Sequence, residues 1–544
     1  MNNEKLAELL FPTIDKTPEF WEQKYPARNL ENKAEVTRYA PSPTGFVHFG
    51  ALFTSLVNSI VAKNSNGVFF LRIEDTDKKR EVEGGVEGII KTLSSFGISF
   101  DEGVGFGGEY GPYLQSERKE IYQTFAKELV KKGKAYPCFC SEDDLAKMRE
   151  QQEKNKQNFG YYGEFAKCRN LSFEQIEEKI KNGEKFVLRL KCPYTSDDKV
   201  ETNDFIRGKR IIPQNENDVI ILKSNGLPPY NFAHAVDDHL MHTTLVIRAD
   251  EWLPSISEHL QIFEALGFKP PRYAHISPIQ KLDENGNRRK LSKRKDPEAD
   301  MNFFAENGYP VGAVKDYIMT LINSDFENWR VQNPKEDLSK FPFTLNKMSA
   351  SGSLFDFVKL TDISKNYIAH LSAGEVYNLA LNYAKEYDKE LFESLTSKKE
   401  FWTQVLNIDR EIAKPRKDLS HFKELMPTYE YMFKFDKKVV FPDNFKVEDI
   451  KKVLEIYPNF YDVNDEQSEW FDKIKDVAQQ IGFAREVKEF KQNPEKYNGH
   501  CGDVSTIIRV ALTGRTQTPN LYDICKLLGR EEIKSRFNKV LKSL

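Results

Sequence analysis

The stretch that decides the fold is Arg38-Tyr39-Ala40-Pro41-Ser42-Pro43-Thr44-Gly45-Phe46-Val47-His48-Phe49-Gly50. Val36 to Ala40 has β character, prolines and a glycine mark a turn, and Ala51 to Asn64 carries apolar residues at helical spacing. The stretch therefore predicts a strand, a turn and the start of a helix, with His48 and Gly50 where the helix begins. The unpaired N–H groups and positive dipole end of a helix N-terminus attract phosphate, so we expect a nucleotide here.

A second strand follows this helix. Val68-Phe69-Phe70-Leu71-Arg72-Ile73 is predicted as a strand and leads into Glu74-Asp75-Thr76-Asp77. Strand, helix and strand form a βαβ unit, whose two strands run parallel. Arg38 and Glu74 then lie near the carboxyl ends of the strands, where open α/β sheets bind ligands. Solvated strand ends are the alternative interpretation, but the joint placement beside His48 favours a ligand crevice.

Length and composition limit the class of protein. With 544 residues, the chain is long enough for about three or four domains. Charged residues make up 30% of the chain, no apolar run approaches the ~18 residues of a membrane span, and the N-terminus lacks an apolar signal core. We therefore expect a cytoplasmic protein without membrane contact. A net charge of −3 allows only local contacts with nucleic acid, and the six cysteines are expected to be reduced.

Two segments lie outside the predicted sheet. Residues 1–33 carry scattered apolar positions among charges and are expected to form a short helical extension, to which no chemistry is assigned. Residues 117–226 begin with a predicted helix and continue with Lys, Glu and Gln and a few short strands. That composition is typical of an insertion between two halves of a sheet domain.

Three cysteines of the insertion form a candidate metal site. Cys138, Cys140 and Cys168 have spacings that could seat a zinc ion, but a structural zinc site normally closes with four ligands. Ordinary reduced cysteines are the alternative interpretation. The fourth ligand would be unusual, and the candidates are Tyr161, Tyr162 and Asn170.

The sheet is predicted to resume after Tyr230. Asn231 to Val236 and Leu245 to Arg248 are predicted as strands, with Asp237-Asp238-His239-Leu240-Met241-His242 as a hydrogen-bonded turn rather than a metal site. Arg248 ends its strand, so the crevice gains a second arginine. A helix over residues 256–266 and a strand over residues 273–276 complete this half.

Two further motifs differ in what they predict. Gly103-Val104-Gly105-Phe106-Gly107-Gly108 matches G-x-G-x-x-G but lacks a following helix, so we do not expect it to bind a dinucleotide. Arg288-Arg289-Lys290-Leu291-Ser292-Lys293-Arg294-Lys295 contains six basic residues and is predicted as a loop. It is either a solvated patch for a phosphate backbone or a mobile loop whose lysines clamp a triphosphate. From Phe303 onward the apolar spacing is mainly helical.

Together these motifs make the chain resemble class I aminoacyl-tRNA synthetases, most closely the bacterial-type glutamyl-tRNA synthetases. The resemblance runs from about Val36 to the C-terminus. It is carried by residues 38–50, 71–77, 111–118, 236–239, 290–294 and 509–515.

The chain departs from the family motifs at a few positions. Ala51 replaces the last histidine of H-I-G-H, which the glutamate branch accepts, and Leu291 and Arg294 differ from K-M-S-K-S. In zinc-bearing members a fourth ligand lies two residues after the third cysteine, where this chain has Asn170. The groups that would touch phosphate are kept.

The resemblance implies an α/β fold. A Rossmann-like parallel-sheet catalytic domain contains an α+β insertion for the tRNA acceptor end, and a mainly α-helical C-terminal region binds the anticodon. The implied segments are an extension (1–33), catalytic halves (34–116 and 227–295), the insertion (117–226), a stem-contact helical domain (296–370) and the anticodon-binding region (371–544).

The resemblance also assigns roles to residues. ATP is the implied substrate with Mg²⁺, and a structural Zn²⁺ on the three cysteines is the second implied metal. The implied catalytic residues are His48, Gly50, Lys290 and Lys293, and ATP binding adds Glu251 and Ser292. The implied glutamate-binding residues are Arg38, Ser42, Glu74, Tyr230 and Arg248.

The implied reaction is ligation of L-glutamate to the 3′ end of tRNA(Glu) through a glutamyl-adenylate. The expected partners are tRNA(Glu), L-glutamate and ATP, with no DNA, and a monomer is expected. Relaxed specificity that also charges tRNA(Gln) and a non-catalytic tRNA-binding paralogue are the alternatives. A glutaminyl-tRNA synthetase is disfavoured by Arg38-Tyr39-Ala40-Pro41-Ser42-Pro43, and a truncated relative that glutamylates a modified base is disfavoured by the long C-terminal region.

Overall fold

The computed structural model describes residues 2–43, 47–77, 82–292, 294–435 and 438–544. The chain divides into two units: Met1–Phe303 with Ile318–Asp356, and Phe304–Tyr317 with Phe357–Leu544. Lys293, a predicted catalytic residue, lies outside the described residues. Each unit is considered by itself below.

Twelve strands are found in the described part of the first unit. They are β1 (Val36–Tyr39), β2 (Val68–Leu71), β3 (Glu102–Gly103), β4 (Ala135–Cys138), β5 (Val187–Leu190), β6 (Lys199–Asp204), β7 (Gly208–Pro213), β8 (Ile220–Leu222), β9 (Leu245–Ala249), β10 (Arg272–Ile276), β11 (Gln280–Leu282) and β12 (Arg288–Lys290).

Twelve α-helices begin before residue 330 in the described part of the chain. They are α1 (Asn3–Leu10), α2 (Pro18–Lys24), α3 (Phe49–Asn64), α4 (Gly85–Ser95), α5 (Lys119–Lys131), α6 (Glu142–Lys154), α7 (Phe173–Lys181), α8 (Tyr230–Leu240), α9 (Ile256–Leu266), α10 (Asn302–Asn307), α11 (Val311–Ile322) and α12 (Asp325–Gln332).

Parallel strands form the layer that carries the predicted crevice. β1 pairs in parallel with β2, with Arg38 opposite Phe70, and β2 pairs in parallel with β3. β10 pairs in parallel with β9 on one side and β6 on the other. The Thr244 amide donates to the Val36 carbonyl at 3.0 Å and places β9 beside β1. The βαβ unit and the parallel sheet predicted from the sequence are confirmed.

One prediction about this layer is wrong. Residues 231–236 form part of helix α8 rather than a strand. Phe232, Val236 and Leu240 are buried and four residues apart, which is the spacing of one helix face. The short apolar run fits the side-chain period of a helix and that of a strand equally well. Pro229 before the first turn is a helix-start signal that decides between the two. The predicted turn over 237–242 is wrong too, because Asp237 and Asp238 lie on α8.

The N-terminal extension packs into the core of the first unit. Leu6, Ala7 and Leu10 are buried against α5, and Trp21 donates from Nε1 to Thr124 at 3.1 Å. Arg28 forms a bidentate ion pair with Glu102, with N–O distances of 2.7 and 2.9 Å. The predicted helices are present, and they cover the apolar face of α5.

The insertion contains its own small antiparallel sheet. Its strand order is β4-β5-β8. The ribbon of β6 and β7 leaves this sheet, and β6 joins β10 in the parallel layer with Asp204 opposite Tyr273. Residues 103–108 form a short strand and turns with no helix after them, as the missing helix signal predicted.

The second unit is helical in its described residues. Its helices after residue 356 are α13 (Phe357–Ala369), α14 (Ala373–Tyr387), α15 (Lys389–Ser397), α16 (Lys399–Asn407), α17 (Leu425–Phe433), α18 (Val447–Phe460), α19 (Gln467–Gln480), α20 (Val487–Gln492), α21 (Cys501–Thr513) and α22 (Leu521–Ser543), with a kink at Gly529.

Two apolar cores hold these helices together. Trp402 is fully buried in the first, among α14 to α17, and Tyr457 is fully buried in the second, among α18 to α22. The helical C-terminal region predicted from the sequence is confirmed. Across the described ranges, none of the helices combines the length and apolar character that crossing a membrane requires.

Candidate active site

A cleft of about 280 Å³ opens at the carboxyl ends of β1, β9 and β10. The structure brings eight of the predicted site residues to its walls: Arg38, His48, Gly50, Glu74, Tyr230, Arg248, Glu251 and Lys290. Ser42 is exposed and does not line the cleft, and neither does Ser292. Trp252 lines the cleft without having been predicted.

His48 caps helix α3 at the cleft. Its Nδ1 accepts a hydrogen bond from the Gly50 amide at 3.0 Å, which satisfies one unpaired helix donor. In a neutral ring the proton is then on Nε2, which can donate to an anion. Within the part of the chain that the structure describes, a Cβ added to Gly50 would contact only the His48 ring, at 3.4 and 4.0 Å. A ligand can therefore approach the backbone at the start of the helix.

Lys290 reaches the cleft from the β11–β12 hairpin. Its Nζ lies 3.0 Å from Glu251 Oε2, and the two side chains are 62% and 59% exposed. Such exposed pairs contribute about 0–1 kcal/mol, so an arriving phosphate can replace Glu251 at little cost. Glu251, predicted to bind ATP, is the partner of Lys290 in this state.

The basic motif after residue 287 is partly structured. Residues 288–290 form strand β12 instead of the predicted loop. Arg289 binds the buried Asp296 carboxylate through two hydrogen bonds of 2.6 Å, and the Ser292 amide donates to the same carboxylate at 2.9 Å. Hydrogen bonding to Arg289 holds the pKa of Asp296 well below its usual value. Asp296 thus fixes the hairpin that presents Lys290.

A buried charge network lies beneath the cleft. Asp238 Oδ1 accepts from Arg72 Nη1 at 2.7 Å, and its Oδ2 lies 3.4 Å from Arg38 Nε. Burial raises the pKa of Asp238, but the positive charges of Arg72 and Arg38 outweigh burial and hold that pKa well below its usual value. Arg38 Nη2 is buried and has no hydrogen-bond partner among the described residues, which leaves a donor for a ligand.

Glu74 stands at the edge of this network. Its Oε1 lies 3.3 Å from Arg72 Nη2. Burial raises the pKa of Glu74 to about 7 against the opposing charges of Arg72 and Arg38. A carboxylate that ionises near neutral pH beside the cleft is suited to bind a cationic group.

Asp237 forms the inner part of the same network. It accepts from Arg118 Nε at 2.6 Å, from the Tyr122 hydroxyl at 2.8 Å and from Gln115 Nε2 at 2.9 Å. Arg118 and Tyr122 come from the segment predicted as an insertion, so they tie α5 to α8. These contacts hold Asp237 on helix α8, where the sequence had predicted a turn.

Arg248 is held by neutral groups. Its Nε donates to His275 Nε2 at 3.0 Å, its Nη2 lies 3.0 Å from His259 Nδ1, and its Nη1 donates to the Tyr230 hydroxyl at 3.2 Å. The sequence reasoning did not find His259 or His275. Both lie inside apolar elements, and an isolated polar residue at a buried position of a predicted helix or strand is the signal that marks them.

The three cysteines of the insertion come together. Their Sγ atoms lie within 4.8 Å of one another, and Cys140 and Cys168 are 3.6 Å apart. The Tyr161 hydroxyl lies 3.4 Å from Cys138 Sγ and 3.3 Å from Cys140 Sγ. Tyr162 donates instead to the Asn158 carbonyl. Tyr161 therefore lies within hydrogen-bond distance of two of the three thiols.

Comparison with known proteins identifies the family of this chain. The family model for the catalytic domain of class I tRNA synthetases (E and Q) matches residues 35–362, and the anticodon binding domain model matches residues 377–541. The chain belongs to the class I glutamyl-tRNA synthetase family. The resemblance drawn from the motifs is confirmed, and so is the fold class.

Relatives in the synthetase family match along nearly the whole chain. A glutamate–tRNA ligase of Acetivibrio thermocellus is 48% identical, covering 99% of this chain and 100% of its own. One from Clostridium perfringens strain SM101 is 47% identical with the same coverage. A crystal structure of a glutamate tRNA ligase from Elizabethkingia meningosepticum with its amino acid has a TM-score of 0.74 and 27% identity, and covers 94% of this chain and 100% of its own.

Proposed function

We propose that this cleft joins L-glutamate to the 3′ end of a tRNA at the expense of ATP. The observation that carries the proposal is the meeting of Arg38, Glu74 and Arg248 with His48 and Lys290 in one cleft. Two cations and one anion match the two carboxylates and the ammonium of glutamate. A helix N-terminus and a lysine match a triphosphate.

Glutamate is held by charge pairing. Arg38 and Arg248 bind the two carboxylates, with Tyr230 adding a hydroxyl, and Glu74 binds the ammonium. A guanidinium fork matches a carboxylate in geometry as well as charge. Glutamine leaves one buried arginine without a counter-charge, so it is rejected.

Activation is a displacement at phosphorus. An oxygen of the glutamate α-carboxylate attacks the α-phosphate of ATP, forming the glutamyl-adenylate as pyrophosphate leaves. The carboxylate is already ionised, so no protein base is needed, and the protein supplies alignment and charge. His48 and the α3 N-terminus bind phosphate oxygens, and Lys290 with Lys293 binds the leaving group. Mg²⁺ offsets charge on the phosphates when it is bound with ATP.

Transfer requires the tRNA 3′ end in the same cleft. A ribose hydroxyl of the terminal nucleotide attacks the mixed anhydride and releases AMP. The insertion holds the acceptor end, and the region matched by the anticodon binding domain model holds splayed anticodon bases. We also propose that the protein is a monomer that acts in the cytoplasm on tRNA(Glu).

The decisive experiment is glutamate-dependent exchange of pyrophosphate into ATP. We expect exchange with glutamate and tRNA(Glu) together, and none with glutamine or aspartate. Charging of tRNA(Glu) and tRNA(Gln) measured side by side tests the relaxed specificity considered above. Tight tRNA binding with no exchange under any of these conditions would instead establish a silent paralogue.

The pH dependence of glutamate binding tests Glu74. Because burial raises its pKa to about 7, the carboxylate is mostly protonated at pH 6 and mostly ionised at pH 8. We expect the KM for glutamate to fall about tenfold from pH 6 to pH 8, while the KM for ATP changes little. Glu74→Gln should show a high glutamate KM that is independent of pH. A Glu74→Gln profile that keeps the wild-type slope would contradict the assignment.

We also propose a structural zinc ion on Cys138, Cys140, Cys168 and Tyr161. Sulfur ligands suit zinc, and the Sγ atoms of the three cysteines lie within 4.8 Å of one another, close enough to close around a small cation. Elemental analysis should find about one zinc per chain, and Cys168→Ser should remove it. Cys192→Ser is the matched control, since Cys192 is buried in the same segment but outside the cluster. Equal metal content in both variants would refute the site.

A further inference from the structure

We propose that His259 and His275 are positioning residues that aim Arg248 at its carboxylate while leaving its charge unneutralised. The proposal rests on the assignment of Arg248 to glutamate binding. It explains why the hydrogen-bond partners of Arg248, unlike the partner of Arg38, are uncharged. The consequence is that, with the described residues offering Arg248 no close anion, the substrate supplies its counter-charge.

The first observation is the absence of a protein counter-ion. Among the described residues, no carboxylate oxygen lies within 4.0 Å of the Arg248 guanidinium nitrogens, although the side chain is only 5% exposed. Arg38, by contrast, faces Asp238 at 3.4 Å. A buried arginine without an anion is costly, and neutral acceptors on all three of its nitrogens reduce that cost without cancelling its charge.

His275 is fixed in the tautomer that accepts a hydrogen bond from Arg248 through Nε2. Arginine only donates, so Nε2 of His275 accepts from Arg248 and the proton lies on Nδ1. That Nδ1 donates to Asp204 Oδ2 at 2.6 Å, and the His275 amide donates to the same oxygen at 3.0 Å. The other Asp204 oxygen accepts from the Ile206 and Arg207 amides. Asp204 is thus fully engaged and orients the ring from behind.

His259 is oriented by an amide in the same way. Its Nδ1 accepts from Arg248 Nη2, so its proton lies on Nε2, which donates to Asn231 Oδ1 at 2.9 Å. The Asn231 amide in turn donates to Glu258 at 2.5 Å. Each histidine therefore has one nitrogen for Arg248 and one for a fixed acceptor.

The surroundings keep both rings neutral. Burial lowers the pKa of His259, and Arg248 and His234 beside it act in the same direction. Burial also lowers the pKa of His275, and Asp204 offsets only part of that effect. Protonation of either ring would remove an acceptor and place a second cation beside Arg248. The other charged and titratable groups around the pair are Arg207, Tyr230, Asp238 and Tyr273.

The test is an isosteric pair at position 259. Asn places a neutral oxygen near the position of Nδ1, and Asp places an anionic oxygen there. We expect His259→Asn to raise the glutamate KM only about twofold. His259→Asp should raise it about tenfold or more, because its carboxylate competes for the charge of Arg248. The ATP KM should stay constant in both. Equal glutamate KM values for the two variants would overturn the proposal, since a merely structural role does not distinguish them.

The second test uses His275→Leu and His275→Gln. Leu removes the acceptor and should raise the glutamate KM about tenfold, whereas Gln offers an oxygen near the position of Nε2 and should restore most of the affinity. In an Arg248→Ala background the Leu change should have no further effect on this KM, because the two residues act as one unit. Full additivity would overturn the proposal.

The two proposals fail in different ways. If Arg248→Ala leaves the glutamate KM unchanged, the assignment of Arg248 to glutamate is wrong. If Arg248→Ala raises it while all histidine variants match the wild type, only the positioning role is wrong. Thermal unfolding of each variant identifies any that fail to fold, and the Asn and Asp pair remains informative because the two side chains have nearly the same size.

Discussion

Arg248→Ala should raise the KM for glutamate about 100-fold or more while leaving the KM for ATP within about twofold. The guanidinium is buried, and it is aimed by Tyr230, His259 and His275. Removing it deletes charge-assisted hydrogen bonds that together contribute about 3 kcal/mol or more to binding. Steady-state pyrophosphate exchange in the presence of tRNA measures both constants.

Arg248→Lys is the matched control for charge. A lysine keeps the positive charge but loses the planar fork, and its ammonium cannot reach Tyr230, His259 and His275 together. We expect its glutamate KM to lie between those of the wild type and Arg248→Ala. The preference for glutamate over glutamine should fall most in Arg248→Ala. Equal increases in the KM values for glutamate and for ATP would show that Arg248 stabilises the cleft rather than binding glutamate.

Asp238→Asn should destabilise the first unit by about 3–5 kcal/mol. Asp238 is the shared counter-ion of Arg38 and Arg72, which are 3% and 0% exposed. Asparagine keeps the shape but removes the charge, so two buried arginines lose their nearest anion. His234, whose Nδ1 lies 2.5 Å from Asp238, loses the neighbouring negative charge as well.

Local hydrogen exchange is the measurement suited to this change. A chain of two units need not unfold in one step, so peptides from β1 and α8 report the relevant free energy directly. Asp197→Asn is the control, because Asp197 is an exposed acid of the same unit. Unchanged protection in β1 and α8 of Asp238→Asn would show that Arg38 and Arg72 are neutralised by other groups.

The sequence predicted the features that depend on local pattern. The Arg38–Gly50 stretch predicted the strand and a helix start at His48, and the parallel βαβ unit placed Arg38 and Glu74 at one edge. Residues 231–236 were misassigned because a six-residue segment with four apolar residues fits a strand and a helix equally well. The neighbouring acids were then placed in a turn instead of on a buried helix face.

Partners distant in sequence could not be predicted. Asp238 meets Arg72 across 166 positions, and Asp204 meets His275 across 71. No periodicity encodes which buried acid faces which buried base, since that depends on how the helices lie on the sheet. For the same reason Tyr161 was only one of three candidates until the fold placed its hydroxyl beside two thiols.

Strand β6 has a consequence for exchanging parts between related enzymes. Asp204 reaches His275 because the polypeptide returns from the cysteine cluster to the parallel layer before it leaves again through β7. A transplant bounded at residues 117 and 226 would carry away the residue that orients the His275 ring. A graft limited to residues 135–198 leaves that residue behind and keeps the three clustered cysteines together. The junction for a functional chimaera therefore lies inside the inserted segment, before strand β6 begins.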